Sequence, residues 1–362
     1  MPTVAITADS QIRPGRVHTK RRTGRTTLPF KARRLVGMCF QAERGPETVQ
    51  VVGSMKRFEQ LYGGYASGNG KGWLAIQEKV IFPLACRRAV AAAATTASKN
   101  LQNAVPTTIA VATSGYRGVN SGTYDIVNSS DGDALKWCFV WHDQAGFDLR
   151  WDGLNTQAGQ DNLATTQGND PALPVILSKS ADGRPVNVAG GTLNTVAGSD
   201  GVIADTDFTG TGKGLEQLAA YNDTTYGVVR AVFVAERSSA TIRAKLNTLA
   251  GLRSDRKFLM CPDSSSVSAS SARTDVASYR NELVAYCYNH PVIINPVTGL
   301  RQTVEPCSFR AALIACTDPQ IHAAFGDNTP MLSGAIDLTF PELSTEPSGG
   351  GDLDLNNDAG IT

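Results

Sequence analysis

Two apolar patterns share this chain. Residues 35–40 and 228–234 are nearly unbroken apolar runs, interrupted by Gly37 and Arg230, and read as buried strands. After the first run, Gly45-Pro46 marks a turn and residues 48–52 are β-branched enough for a second strand. Ser54 then stands as an N-cap, with Arg57 where a capping box would place Glu or Gln. Met55, Phe58, Leu61 and Tyr62 follow at helical spacing, and Gly63-Gly64 supplies a stop. A loop at 68–70 leads to a helix over about 72–80, with Trp73, Ile76 and Val80 on one face, and to a strand at 81–86.

From about residue 101 the pattern changes. Short strand candidates at 107–113, 122–127 and 136–141 are separated by Gly, Ser, Asn and Asp clusters, and 143–205 stays polar apart from 174–177. That texture predicts a β-rich subdomain, inserted or appended, on the outside. Near Thr209 the earlier pattern returns. Helices are expected at 215–221, 240–252, 275–288 and 308–316, with strands at 228–234, 258–261 and 291–295. Alternation of this kind argues for a layered α/β (α+β) core with an inserted β-rich subdomain and extended terminal arms. The expected divisions are an arm over 1–35, core over 36–100, insertion over 101–205, core again over 206–345, and an acidic flexible segment over 346–362.

Charge sharpens the ends. The net charge is +1, but Arg13, Arg16, Lys20, Arg21, Arg22, Arg25, Lys31, Arg33 and Arg34 fall in a stretch without a carboxylate between Asp9 and Glu43. Beyond Arg310 there is no Lys or Arg, while Asp318, Asp327, Asp337, Glu342, Glu346, Asp352, Asp354 and Asp358 accumulate. A basic head and an acidic tail can attract each other between copies. The arm carries one aromatic, Phe30, and no recognition module, so nucleic acid is not expected as a partner. With 41% hydrophobic and 19% charged residues over 362 positions, the composition is globular. The basic N-terminus argues against a signal peptide, no run reaches the roughly 18 apolar residues of a membrane span, and folding in a cytoplasm is expected.

Candidate chemistry is thin. Gly210-Thr211-Gly212-Lys213-Gly214 precedes a helix, where glycine amides can cradle phosphate. Aligned on a P-loop, however, Asp207 replaces the first glycine and Gly214 the metal-binding hydroxyl. His18, His142, His290 and His322 share no metal-like spacing, and His290 reads as a capping cation or a core residue. Asp131 and Asp133, or Asp352 and Asp354, read as solvated turns that do not continue to a calcium loop. No catalytic, cofactor-binding or metal residue is therefore assigned, and no small-molecule substrate or cofactor is expected. Seven cysteines without a C-x-x-C pair read as buried thiols, and their odd number leaves room for a disulfide between subunits, with no pair named.

Six blocks in order carry a family resemblance. They are Pro14-Gly15; Val36-Gly37 with Arg44-Gly45-Pro46; Val52-Gly53-Ser54 with Phe58-Glu59 and Tyr62-Gly63-Gly64; Ala112 with residues 115–120; Thr211-Gly212-Lys213-Gly214-Leu215 with Leu218; and Val304-Glu305-Pro306-Cys307-Ser308 through Ala315, Thr317 and Asp318. Together the chain resembles contractile tail sheath proteins of bacteriophages and related injection machines. The resemblance implies a non-enzymatic virion subunit, assembled in the host cytoplasm as stacked rings of identical copies. It further implies an inner tail tube protein, baseplate and tail terminator proteins as partners, and contraction that drives the tube through an envelope. Arg13, Arg16, Lys20, Arg21 and Arg22 would then take part in subunit contacts. Asn328-Thr329-Pro330 matches the family only loosely, and the chain ends at 355–362 where the resemblance implies a further, tube-contacting domain. Two other readings stay open, a different virion structural protein (capsid or baseplate component) and a nucleotide-binding enzyme using the turn at 210–214.

Overall fold

The computed structural model describes residues 35–64, 71–78, 82–119, 122–143, 148–168, 170, 173–279, 281–288, 290–295, 297–316 and 337–339. The basic arm, with Arg13, Arg16, Lys20, Arg21 and Arg22, lies outside them, as do the acidic segment at 346–362 and the loop at 68–70.

The chain opens with strand β1 (Leu35–Phe40), strand β2 (Gln50–Val52), helices α1 (Met55–Tyr62) and α2 (Lys71–Glu78), and strand β3 (Leu84–Arg88). An outer region follows, with β4 (Ser98–Gln102), β5 (Thr108–Ser114), β6 (Thr123–Asn128), β7 (Trp137–His142), β8 (Asp148–Leu154), α3 (Leu163–Gln167), β9 (Val175–Lys179) and β10 (Val188–Thr192). The chain then returns through α4 (Asp205–Thr209), α5 (Gly214–Ala220), β11 (Asn222–Asp223), β12 (Gly227–Val234), α6 (Ala240–Leu252), β13 (Lys257–Met260), α7 (Ala269–Ala277) and β14 (Val284–Tyr286). Last come β15 (His290–Ile294), β16 (Arg301–Thr303), α8 (Cys307–Cys316) and β17 (Asp337–Thr339).

The main sheet has the order β14-β13-β12-β1-β3-β2, with β11 also pairing β12. Strand β1 runs parallel to both neighbours, β12 to β13 and β13 to β14 are parallel too, and β2 is an antiparallel edge. A parallel sheet needs cover on both faces, and every residue of β1 is buried. Val36, Met38 and Phe40 face α1, α2 and α8 through Phe58, Leu61, Ile76, Ala311 and Ile314. Leu35 and Cys39 face the other layer, with Phe208, Leu215, Leu218, Ile242, Leu246 and Val276. The result is a three-layer α/β core. Gly37 allows the second layer to sit close, because a Cβ there would meet Leu218 and Val229 side chains at 2.9 Å.

The outer region is antiparallel. A four-stranded sheet, β10-β6-β7-β8, packs on a three-stranded sheet, β4-β5-β9, around Tyr124, Trp137, Phe139, Trp141, Leu154 and Leu177. A further three-stranded sheet has the order β16-β15-β17.

Local signals explain most helix ends. The Ser54 hydroxyl accepts from the Arg57 amide, and Gly63 ends α1 at φ 84°. The helix expected over 275–288 is corrected. It begins earlier, at the Ser268 cap, and ends at Ala277, and Val284–Tyr286 becomes strand β14. Pairing on the open edge of β13 satisfies backbone groups there better than continuing the helix.

Candidate functional site

The glycine turn before α5 is closed by the protein's own side chains. Gly212 donates its amide to Glu216 at 2.7 Å, and Gln217 donates to the Gly212 carbonyl at 2.7 Å. Lys213 reaches the buried Asp207 carboxylate at 3.4 Å, and Asp207 also accepts from the Ala204 amide at 2.9 Å. Lys245 holds Glu216 in turn. A phosphate placed here would meet two carboxylates and find the Gly212 amide already engaged, so the turn supports a helix start rather than a nucleotide cradle.

The other singled-out groups fall apart in space. Asp131 accepts from the Asp133 amide and pairs with Lys136 at 2.7 Å, and Asp133 accepts from the Leu135 amide, which makes a solvated turn. His290 is a core residue at the start of β15, buried and lowered in pKa by that burial. His142 stands on the outer sheet between Asp148, at 2.9 Å, and Asp125, at 3.1 Å. Hydrogen bonds to those two carboxylates raise its pKa. Among the described residues, no group of three His, Cys, Asp or Glu is arranged to hold a metal. Cys39, Cys86, Cys138, Cys261, Cys287 and Cys307 are all free and buried. His18, His322, Asp352 and Asp354 lie outside the described residues.

What the structure does bring together is a junction of arginines between the core and the outer region. Arg88, at the end of β3, is 3% exposed. Its guanidinium donates to the carbonyls of Arg117 at 2.9 Å, Gly45 at 3.1 Å and Ala42 at 3.3 Å. Burial lowers its pKa to about 10, against the pull of Asp200. Arg117 grips Glu47 through two hydrogen bonds, one of 2.6 Å. Burial would raise Glu47, but the hydrogen bond and charge of Arg117 outweigh it and the pKa is lowered. Arg44 pairs with the buried Asp143. Asp200 accepts the Val119 amide at 2.8 Å. Where the two connections cross, Gly198 is required, because a Cβ would lie 2.2 Å from the Gly118 carbonyl oxygen.

Sequence reasoning missed this junction. Arg88 extends a strand expected to end at Cys86, and its partners lie dozens of positions away. One signal was available, the Arg44-Gly45-Pro46 turn, whose Gly45 carbonyl serves Arg88. Another feature was also hidden. Gln167 pairs through its side-chain amide with both the N–H (2.7 Å) and the C=O (3.0 Å) of Leu177, and so occupies backbone groups on the outer edge of β9. Capping an edge in this way blocks strand addition.

No family model matches the chain, and no curated protein matches it. Solved structures do match. The sheath tail protein of Listeria innocua aligns over 90% of this chain and 64% of its own, at a TM-score of 0.56 and 14% identity. The sheath tail protein of Desulfitobacterium hafniense aligns over 92% of this chain and 68% of its own, at a TM-score of 0.49 and 15% identity. The fold is a tail-sheath-like fold. The chain spans less than two thirds of the length of the Listeria protein, with 64% of that protein covered.

Proposed function

We propose that this chain is a structural subunit of a contractile tail sheath in a virion. Copies polymerise as stacked rings around an inner tube, and contraction of the lattice drives the tube through a cell envelope. The observation that carries the reading is the fold likeness to the Listeria sheath tail protein over 90% of the chain. The physical demands of such a part agree with it. A subunit that moves as a body needs a stiff core, and the arginine junction ties the outer region to that core through buried, charge-assisted hydrogen bonds. Energy stored in a metastable lattice needs no active site in the subunit, and the glycine turn at 210–214 is occupied internally.

Negative-stain microscopy of the purified protein tests this. Tubes or stacked rings are expected; icosahedral shells or monomers at assembly concentrations would overturn it. Within that reading the arm residues Arg13, Arg16, Lys20, Arg21 and Arg22 make contacts between copies. Their joint reversal to Glu should shorten or abolish the tubes, and tubes of normal length would remove the arm from the interface.

A further inference from the structure

Each end of the parallel sheet holds apolar side chains out in water. At the carboxyl end stands the hairpin of β15 and β16. At its base the Val304 amide donates to the Pro291 carbonyl at 3.0 Å, and the Glu305 amide reaches the Glu236 side chain, just past β12, at 2.9 Å. The turn is satisfied from within. The Asn295 amide donates to the Leu300 carbonyl at 2.9 Å, and the Gly299 amide to the Asn295 carbonyl at 2.8 Å. The buried Asn295 side chain accepts from the Val297 amide at 2.8 Å and donates to Gln302 at 2.6 Å. What the turn presents outward is aliphatic, with Ile294, Val297 and Leu300 48%, 58% and 69% exposed. Strand β17 pairs β15 only from His290 to Val292 and stops short of the tip.

At the amino end, Tyr226 immediately precedes β12 and Leu252 closes α6 just before β13. They are 50% and 73% exposed. Strands β12 and β13 are parallel, so both loops lie at the same end of the sheet. Arg256 ties the loops together, donating to the Tyr221 carbonyl at 3.3 Å and the Asn222 side chain at 3.2 Å. Asp223 accepts the Thr225 and Tyr226 amides, both at 2.8 Å, and so fixes the turn that carries Tyr226. Beside these side chains the surface is open. A Cβ built on Gly227 or Gly251 would meet nothing within 4 Å.

Single exposed apolar side chains are ordinary. Two rigid sets at opposite ends of one sheet differ, because neither can cover the other within a chain. A second copy in the same orientation brings them face to face. A turn already held in place loses little freedom on docking. Unlike patches on opposite ends pair head to tail, and such a contact repeats from copy to copy. We propose that the 294–300 turn of one copy docks on the Tyr226 and Leu252 surface of the next, a contact that rests on the reading of the chain as a polymerising subunit.

Cysteine substitutions at the two ends of the full chain test it. With copper phenanthroline as oxidant, Leu252→Cys/Leu300→Cys should give a ladder of disulfide-linked multimers on non-reducing gels. A mixture of the two single variants should stop at dimers, and each single variant alone should stay unlinked. No ladder from the double variant overturns the contact. So does a dimer of Leu300→Cys alone, which would mark tip-to-tip pairing. Sedimentation gives a second reading without a cross-link. Val297→Glu/Leu300→Glu and Leu252→Glu should each weaken self-association by roughly tenfold or more, as at the centre of an apolar contact. Val105→Glu, on the exposed β4–β5 loop, should leave it unchanged. Unchanged association in the end variants, or equal loss in all three, overturns the contact. Tubes without a ladder sink this contact and spare the sheath reading. A ladder without tubes or rings keeps the contact and counts against the sheath.

Discussion

The core and the outer region bury similar aromatic clusters in opposite ways. In the core, β1 is buried on both faces, and its sequence reads as an apolar run interrupted only by Gly37. In the outer region, β6 and β9 alternate buried with partly or fully exposed positions, because an antiparallel sheet packs one face and wets the other. Charge follows the same division. The outer sheet keeps Asp125, His142 and Asp148 where water reaches them, whereas Arg88 at the border lies buried and must find carbonyls. Burial on both faces makes the core the stiffer partner. The outer region is then a second packing unit whose rigidity depends on the border.

The hardest test of that difference is a pair of matched truncations. Phe40 is fully buried, with ring centroids 5.4 Å from Phe58 and 4.9 Å from Tyr62. Phe139 is equally buried, 5.2 Å from Tyr124 and 5.9 Å from Trp151. Each change to Ala should cost about 3–5 kcal/mol. Hydrogen exchange separates them. Phe40→Ala should raise exchange throughout, and Phe139→Ala should raise it in the outer strands while β1 and β12 stay protected. Equal loosening of β1 by both variants would make the two regions one cooperative unit.

Next in size is the border itself. Arg88→Met keeps the volume but leaves the carbonyls of Ala42, Gly45 and Arg117 without their charged donor. A loss of about 2–3 kcal/mol is expected, since hydrogen bonds from charged groups are stronger than neutral ones. The informative result is the shape of denaturant unfolding. One transition should split into two as the outer region comes free, with new protease cleavage near the crossing at Gly118 and Gly198. A single transition, merely shifted, would show that Arg88 is not the coupling.

How legible all this was depended on whether partners were near in sequence. The layered α/β class, the Ser54 cap, the helix at 240–252 and the buried strands rest on local periodicity, and the structure has them. Strands β8 and β10 went unread, because DLRWDGL and VAGGT expose so many positions that neither pattern dominates. Apolar residues at 276, 279, 283 and 286 fit a helix, yet an unpaired strand edge claimed the last of them. At the border the missing knowledge was three-dimensional. Nothing around Arg88 in sequence announces that residues 42, 45 and 117 will supply its acceptors.

A smaller change probes the outer edge. Gln167→Ala removes both hydrogen bonds to Leu177 and should cost about 1 kcal/mol, the net worth of an ordinary hydrogen bond or two. Its larger consequence is association, since β9 would present free backbone groups next to the half-exposed Ile176. Light scattering should show concentration-dependent aggregation that wild-type lacks, and an unchanged scattering profile would remove Gln167 as an edge cap.

The smallest effect is the most diagnostic, because the two described histidines should titrate with opposite signs. His142 is raised above its ordinary 6.5 by hydrogen bonds to Asp148 and Asp125. Its contribution is therefore fully present below about pH 6.5 and is lost as pH rises through the higher folded value. The site is over a third solvated, so screening reduces the effect to a few tenths of a kcal/mol, as for other exposed ion pairs. His290 is lowered by burial, despite the hydrogen bond to the Tyr288 carbonyl. There the unfolded chain takes up the proton first, and stability falls as pH drops from 6.5 through the lower folded value. Proton-resolved NMR titration should place His142 above and His290 below the free-histidine value, and His142→Gln should flatten the loss of stability above pH 6.5 while leaving the acid side unchanged. Two histidines titrating together near the free value would erase the electrostatic contrast between wetted sheet and buried strand.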